Sequence, residues 1–151
     1  MSRPLKRVLF VCVGNSCRSQ MAEAFARAYG SDVVVPASAG LAPAGRIAAD
    51  TIEAMEEKGI DVRDQFPKAV QHLVRIPFDL VINMSGEALP DAITGDVRSW
   101  DVEDPINLHY QDHCEIRDQI ERLVMNLILE LRQEQAQPQT KPFGSGRVPL
   151  T

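Results

Sequence analysis

Three cysteines in 151 residues are too few, and odd in number, for a disulfide framework. They do not make a zinc site either, because Cys12 and Cys17 are too far apart for a CxxC knuckle and no second pair exists. No metal and no other cofactor is therefore expected. Long hydrophobic runs are also missing. No stretch approaches the ~20 apolar residues of a membrane helix. The N-terminal "MSRPLKRVLFV" places basic residues before an apolar run, as a signal peptide does. That run is short, and it breaks into "GNSCRS" without a small-residue cleavage site, so it reads as a first strand. Excess positive charge is absent too: the net charge is −5, which argues against a phosphate-backbone partner. These absences point to a cytoplasmic protein with neither nucleic acid nor membrane as its partner.

What is present is the composition of an ordinary soluble domain, 44% apolar and 25% charged, long enough for one full core. Lys6 to Val13 is β-rich and almost uniformly apolar, as in a strand buried on both faces of a parallel sheet. From Ser19 the period changes. Met21, Phe25, Ala28 and Tyr29 share a helical face, and Gly30 is the expected stop. "VVVPASAG" (33–40) reads as a second strand, "IAADTIEAMEEKG" (47–59) as a helix, "DLVINM" (79–84) as a third strand and "DVRSWDV" (96–102) as a short fourth. Ile116, Ile120, Leu123, Leu127 and Leu131 space a long last helix that is expected to end near Gln133. Strands alternating with helices indicate an α/β fold with a parallel sheet, whose strand-to-helix loops gather at one ligand-binding edge. The expected division is a domain over 1–134 followed by a Pro/Gln-containing tail over 135–151. Self-association through that tail is left open.

The first strand-to-helix loop is "CVGNSCRS" (12–19). A strand, a glycine-containing loop and a helix N-terminus make an anion site from inward-pointing N–H groups and the helix dipole. The loop lacks the lysine of a nucleotide P-loop and carries only one glycine of the dinucleotide fingerprint. It has instead Cys12 and, six residues later, Arg18. The dipole, the N–H groups and Arg18 favour a Cys12 thiolate, which is the nucleophilic form. Arg18 can hold two oxygens of a tetrahedral oxyanion bidentately. Val13, Gly14, Asn15, Ser16, Cys17 and Ser19 complete the candidate phosphate loop. In it Asn15 tolerates left-handed backbone angles and Ser19 can hydrogen-bond the sulfur.

"VLFVCVGNSCRSQMAEAF", "SAG" (38–40) and "WDVEDP" (100–105) together resemble the low-molecular-weight protein-tyrosine phosphatases and the thioredoxin-coupled arsenate reductases that share their fold. The resemblance covers roughly residues 6 to 133. It implies a three-layer α/β fold, a four-stranded parallel sheet flanked by helices (flavodoxin-like). It also implies that Asp104, before the loop-stiffening Pro105, is the general acid. Ser38 would brace the phosphate loop through Asn15. Cys17 would form a reversible redox pair with Cys12.

The resemblance leaves a fork. Ser16 and Gln20 stand where many phosphatases carry Ile and Pro. Ile106-Asn107 and the loop after "SAG" lack the aromatic walls of a phosphotyrosine slot. Those features resemble the reductase. The reductase's resolving cysteine, however, follows the third strand, and Ser85 of "MSGEA" stands there instead. Cys114 is the remaining thiol and reads as structural. On this cysteine count the expected function is phosphate-monoester hydrolysis of the protein-tyrosine-phosphatase type, through a cysteinyl-phosphate. The alternative is arsenate reduction with an external thiol, and a third reading is a noncatalytic oxyanion- or phosphoprotein-binding module. The partner is accordingly a phosphorylated protein, a small phosphate ester or arsenate. His72, His109 and His113 show no partner in the sequence and read as surface or core residues.

Overall fold

The computed structural model describes residues 4–137. Four strands, β1 (Lys6–Cys12), β2 (Val34–Gly40), β3 (Leu80–Asn83) and β4 (Asp96–Ser99), form one parallel sheet in the order β2-β1-β3-β4. Three helices join them: α1 (Arg18–Gly30), α2 (Ala49–Glu56) and α3 (Tyr110–Ala136). The fold is thus the α/β arrangement with a four-stranded parallel sheet that the alternation of periods indicates.

β1 is central, and this explains its unbroken apolar run. Val8, Phe10 and Cys12 point to the helical side, where they meet Met21, Phe25, Ile120, Val124, Leu127 and Ile128. Leu9 and Val11 point to the opposite side, against Val70, Phe78 and Ile93. Each fully buried large side chain among these contributes about 1.5–3 kcal/mol. The helical face is covered by all three α-helices. The other face is covered by a single 3₁₀ turn (Val70–Leu73) and irregular segments.

Several boundaries differ from the sequence expectation. α1 does end at Gly30, as expected, but not through a left-handed cap: Gly30 is its last helical residue, and Ser31 behind it is also right-handed. Its role is packing, because a Cβ at Gly30 would lie 2.7 Å from Ile128 Cγ1 of α3. α2 is shorter than 47–59. It ends at Glu56, and the chain then turns through Gly59 at φ +75° with Ile60 N–H donating to Met55 O at 3.0 Å. α3 runs on to Ala136, beyond Gln133, so the first residues assigned to the tail are helical. Residues 138–151, with the self-association assigned to them, lie outside the described residues.

The sheet register brings the C-terminal ends of the strands together. Cys12 pairs with Gly40, Val11 with Asn83 and Asn83 with Ser99. The loops after all four strands therefore leave from one edge.

Candidate active site

The loop from Cys12 to Arg18 is held by its carbonyls. Cys12 O accepts from Leu41 N (3.1 Å), Val13 O from Ala42 N (2.8 Å), Gly14 O from Ala44 N (2.9 Å) and Ser16 O from Ala48 N (3.3 Å). Asn15 O accepts from Gln20 Nε2 at 3.0 Å. In a trans peptide the carbonyl and the following N–H point in opposite directions, and no peptide among the described residues is cis. Five successive carbonyls tied outward thus turn the N–H groups of residues 13–17 toward the inside of the loop. Asn15, at φ +50°, supplies the one left-handed step that the curl requires. The close approach of β2 depends on Gly40, where a Cβ would lie 2.6 Å from Val13 O and 2.9 Å from Asn15 Cβ.

Cys12 sits at the end of β1 with its Sγ 2.9 Å from Ser19 Oγ. Ser19 Oγ accepts a hydrogen bond from Asn15 Nδ2 at 2.7 Å, which leaves the hydroxyl proton free to point at the sulfur. Asn15 Oδ1 in turn accepts from Lys68 N at 2.9 Å. Ser38, expected to brace the loop through Asn15, does not do so. It is buried in β2, and its hydroxyl donates to Glu23 Oε1 of α1 instead. Asn15 is engaged instead by Ser19 through Nδ2 and by Lys68 through Oδ1. The brace that the sequence reading missed is Gln20. Fully buried, it donates to both Asn15 O and Phe66 O (3.0 Å each) and accepts from Gln65 Nε2 at 2.6 Å. Its partners near residue 65 have no local sequence signal.

Arg18 is 5% exposed, and its guanidinium is spoken for on one side only. Nη1 donates to Met84 O at 2.6 Å and Val102 O at 3.0 Å, using both of its hydrogens. Nη2 lies 3.5 Å from Asp104 Oδ2. Nε is buried with no hydrogen-bond partner among the described residues. An unpaired buried donor costs about 1–3 kcal/mol. The Nε–Nη2 edge is the planar fork that fits two oxygens of one anion. Asp104 is held by its own turn: Oδ1 accepts from Ile106 N at 3.0 Å, and Leu108 N donates to Pro105 O at 3.0 Å. Its side chain is 43% exposed, at the rim beside Arg18.

The remaining candidates divide. Ser85 forms a tight turn after β3, donating to Asn83 Oδ1 at 2.7 Å and accepting from Glu87 N at 3.0 Å. It lines an open cavity of about 520 Å³ with Arg18, Met84 and Trp100. Ser16 Oγ is turned away and donates to Arg46 O at 2.9 Å. Cys17 is buried at the N-terminal end of α1. Burial pushes its thiol up, while a hydrogen bond with the Thr51 side chain pulls the other way. Cys114 is buried beside Tyr110 and Arg117. His113, read from sequence as having no partner, is buried with its Nε2 3.0 Å from Thr51 Oγ1. No cluster among the described residues could hold a metal ion.

Residues 7–137 match the profile of the low molecular weight phosphotyrosine protein phosphatase. The chain belongs to this family. Among its similar proteins are several named arsenate reductases. The glutaredoxin arsenate reductase of Synechocystis sp. is 34% identical over 84% of this chain and 99% of its own. A solved structure described as an arsenate reductase in the phosphate binding state superposes with a TM-score of 0.78 at 34% identity, over 84% of this chain and 99% of that one. The YwlE arginine phosphatase from Geobacillus stearothermophilus shares the fold, with a TM-score of 0.77 at 24% identity over 90% and 99% of the two chains. The expectation of an ordinary phosphatase therefore gives way: among these relatives the arsenate-reductase branch is the better-supported one. No described helix is long and apolar enough to cross a membrane.

Proposed function

We propose that this protein is an arsenate reductase that takes its electrons from external thiols. The observation that carries the reading is the buried Arg18 Nε, without a hydrogen-bond partner among the described residues, at the mouth of a loop whose N–H groups turn inward beside the Cys12 sulfur. That arrangement selects a small tetrahedral oxyanion. The arsenate reductases among the relatives, one of them in a phosphate-binding state, support arsenate as the member of that class. Nothing aromatic stands at Ile106-Asn107 or in the loop after β2, so an aryl substituent gains no wall from either of those segments.

In this reading the Cys12 sulfur attacks arsenic and displaces one oxygen. Ser19 donates a hydrogen bond to the Cys12 thiolate before attack, and Arg18 holds two of the remaining oxygens through Nε and Nη2. Asp104, 3.5 Å from Arg18 Nη2, protonates the departing oxygen so that it leaves as water. A thiol then attacks the Cys12 sulfur. The sulfur–arsenic electron pair stays on arsenic, arsenite departs, and two thiols have become a disulfide. Ser85 has no thiol to offer at the end of β3, so re-reduction falls to a small thiol or a glutaredoxin; the name of the Synechocystis relative supports the latter.

A second reading keeps water in the last step. Ser85 in the turn after β3 favours it, because the cysteine relay seen from sequence as diagnostic of the reductase is missing there. The protein would then hydrolyse a phosphate monoester. One experiment decides between them. The purified protein is incubated with arsenate, glutathione and glutaredoxin, and separately with p-nitrophenyl phosphate. We expect arsenite formation that Cys12→Ser abolishes. Release of p-nitrophenol without arsenite would overturn the reductase, and oxyanion binding with neither product would leave a noncatalytic binding module.

A further inference from the structure

The loops after β3 and β4 enclose the open cavity of about 520 Å³ that Arg18 shares with Met84, Ser85, Glu87, Trp100 and Asp101. The sheet register sets it beside the nucleophile. Val11 pairs with Asn83, and Met84 N donates to Val11 O at 2.7 Å, so Met84 stands beside Cys12 and Ser85 follows one residue farther out. Arg18 is the wall common to the cavity and the phosphate loop. Its Nη1 is held by Met84 O and Val102 O, while its buried Nε has no hydrogen-bond partner among the described residues. A tetrahedral oxyanion on the Nε–Nη2 edge fills only a small part of such a volume, which leaves room for a second molecule.

The charge of the cavity does not suit another oxyanion. Glu87 and Asp101 are both exposed, and neither carboxylate is engaged in an ion pair or hydrogen bond among the described residues. Unpaired carboxylates oppose an incoming anion and attract a cation. Trp100 acts in the same direction. Its half-buried indole is braced against Phe10, with ring centroids 6.0 Å apart, and an indole face also attracts a cation. Ser85 between them has no electrons to give, and its hydroxyl is committed to Asn83 Oδ1 and Glu87 N within the turn.

We propose that this cavity is the docking site of the reducing thiol, and that Glu87, Asp101 and Trp100 select a small thiol that carries a positive charge. This rests on the reductase reading. The neighbouring cation favours ionisation of the thiol, whose proton goes to water. The thiolate attacks the Cys12 sulfur, and a mixed disulfide forms as the sulfur–arsenic bond breaks. Its electron pair stays on arsenic, which leaves reduced from As(V) to As(III). A second molecule of the same thiol, again as its thiolate, attacks the sulfur of the first. Cys12 departs as a thiolate with the Ser19 hydroxyl 2.9 Å away, and the two thiols leave as their disulfide, having supplied two electrons. Glu87, Asp101 and Trp100 act on the charge of the thiol, so their loss should be read in the thiol and not in arsenate.

The test follows arsenite formation at saturating arsenate with three small thiols: cationic cysteamine, neutral 2-mercaptoethanol and anionic 2-mercaptoethanesulfonate. The wild type is compared with Glu87→Gln/Asp101→Asn, so that the intrinsic reactivity of each thiol cancels. The double variant should lose about 5-fold in kcat/KM for cysteamine, gain about as much for the sulfonate and change least for mercaptoethanol. Its arsenate KM should be no higher and its inhibition by phosphate no weaker, which shows that the oxyanion site is intact. Trp100→Leu keeps an apolar side chain against Phe10 and should also lower the cysteamine value while sparing phosphate inhibition. Added salt should shrink the differences between the thiols, because both carboxylates are exposed. Values for all three thiols that the double variant leaves unchanged, or lowers equally, would overturn the cavity as the thiol site while sparing the reductase reading. No arsenite with these thiols or with glutathione and glutaredoxin would overturn both.

Discussion

Between Cys12 and Ser16 every carbonyl is hydrogen-bonded to a neighbouring segment, and the loop sits on buried Gln20, Asn15 and Ser19. Across Arg18 the Asp104 loop is held chiefly by its own turn, with the carboxylate 43% exposed. The first loop is over-determined, so its shape is fixed before any anion arrives, which is how a cradle of N–H groups gains strength for an oxyanion. The second is lightly held and open to solvent, as a group that exchanges protons must be. The contrast separates recognition from proton delivery, and substitutions on the two sides should fail in different ways.

Of the substitutions that probe this contrast, Arg18→Lys is expected to cost most. An ammonium cannot reach Met84 O and Val102 O while also presenting a fork to the anion. Turnover should drop by about 10²–10³-fold, with oxyanion affinity falling as well, measured by steady-state kinetics and phosphate inhibition. Asp104→Asn should lower turnover by about 10²-fold and leave phosphate inhibition nearly unchanged. An equal loss of both would merge the two loops' roles and break the contrast. Gly40→Ala is expected to cost about 1–3 kcal/mol in denaturant unfolding, because its methyl group meets Val13 O at 2.6 Å. It should also weaken phosphate binding, although residue 40 contributes no group to the anion. The smallest effect is expected far from the site. Arg98 pairs with Glu130 at 2.9 and 2.6 Å on the exposed edge strand β4, and Arg98→Ala should cost under about 1 kcal/mol without changing turnover.

Much of the fold was legible because periodicity reports burial directly. β1 is apolar throughout because both of its faces are covered, and the α3 stripe repeats at helical spacing because only one face of that helix meets α1 and the sheet. The helix end at Gly30 was legible but its reason was not, because glycine's left-handed tolerance and its small size leave the same mark in a sequence; only the position of Ile128 separates them. The first loop was legible as a cradle because its residues are contiguous. The groups that brace it were not. Gln20 reaches Phe66, Ser38 reaches Glu23 rather than Asn15, and His113 reaches Thr51, and such pairs are set by how helices dock rather than by local spacing. On the fork between water and thiol, Ser16, Gln20 and the missing aromatic walls pointed to the reductase and Ser85 pointed to the phosphatase, because the first loop carries the first nucleophile and says nothing of the second.

The most direct test of the central claim compares two rates in one preparation. Arsenite formation from arsenate is followed as glutathione is raised in the presence of glutaredoxin, and p-nitrophenol release from p-nitrophenyl phosphate is followed under the same conditions. The account predicts arsenite formation that rises with thiol and saturates, and that outpaces hydrolysis. Hydrolysis indifferent to thiol, with no arsenite at any thiol concentration, would contradict it.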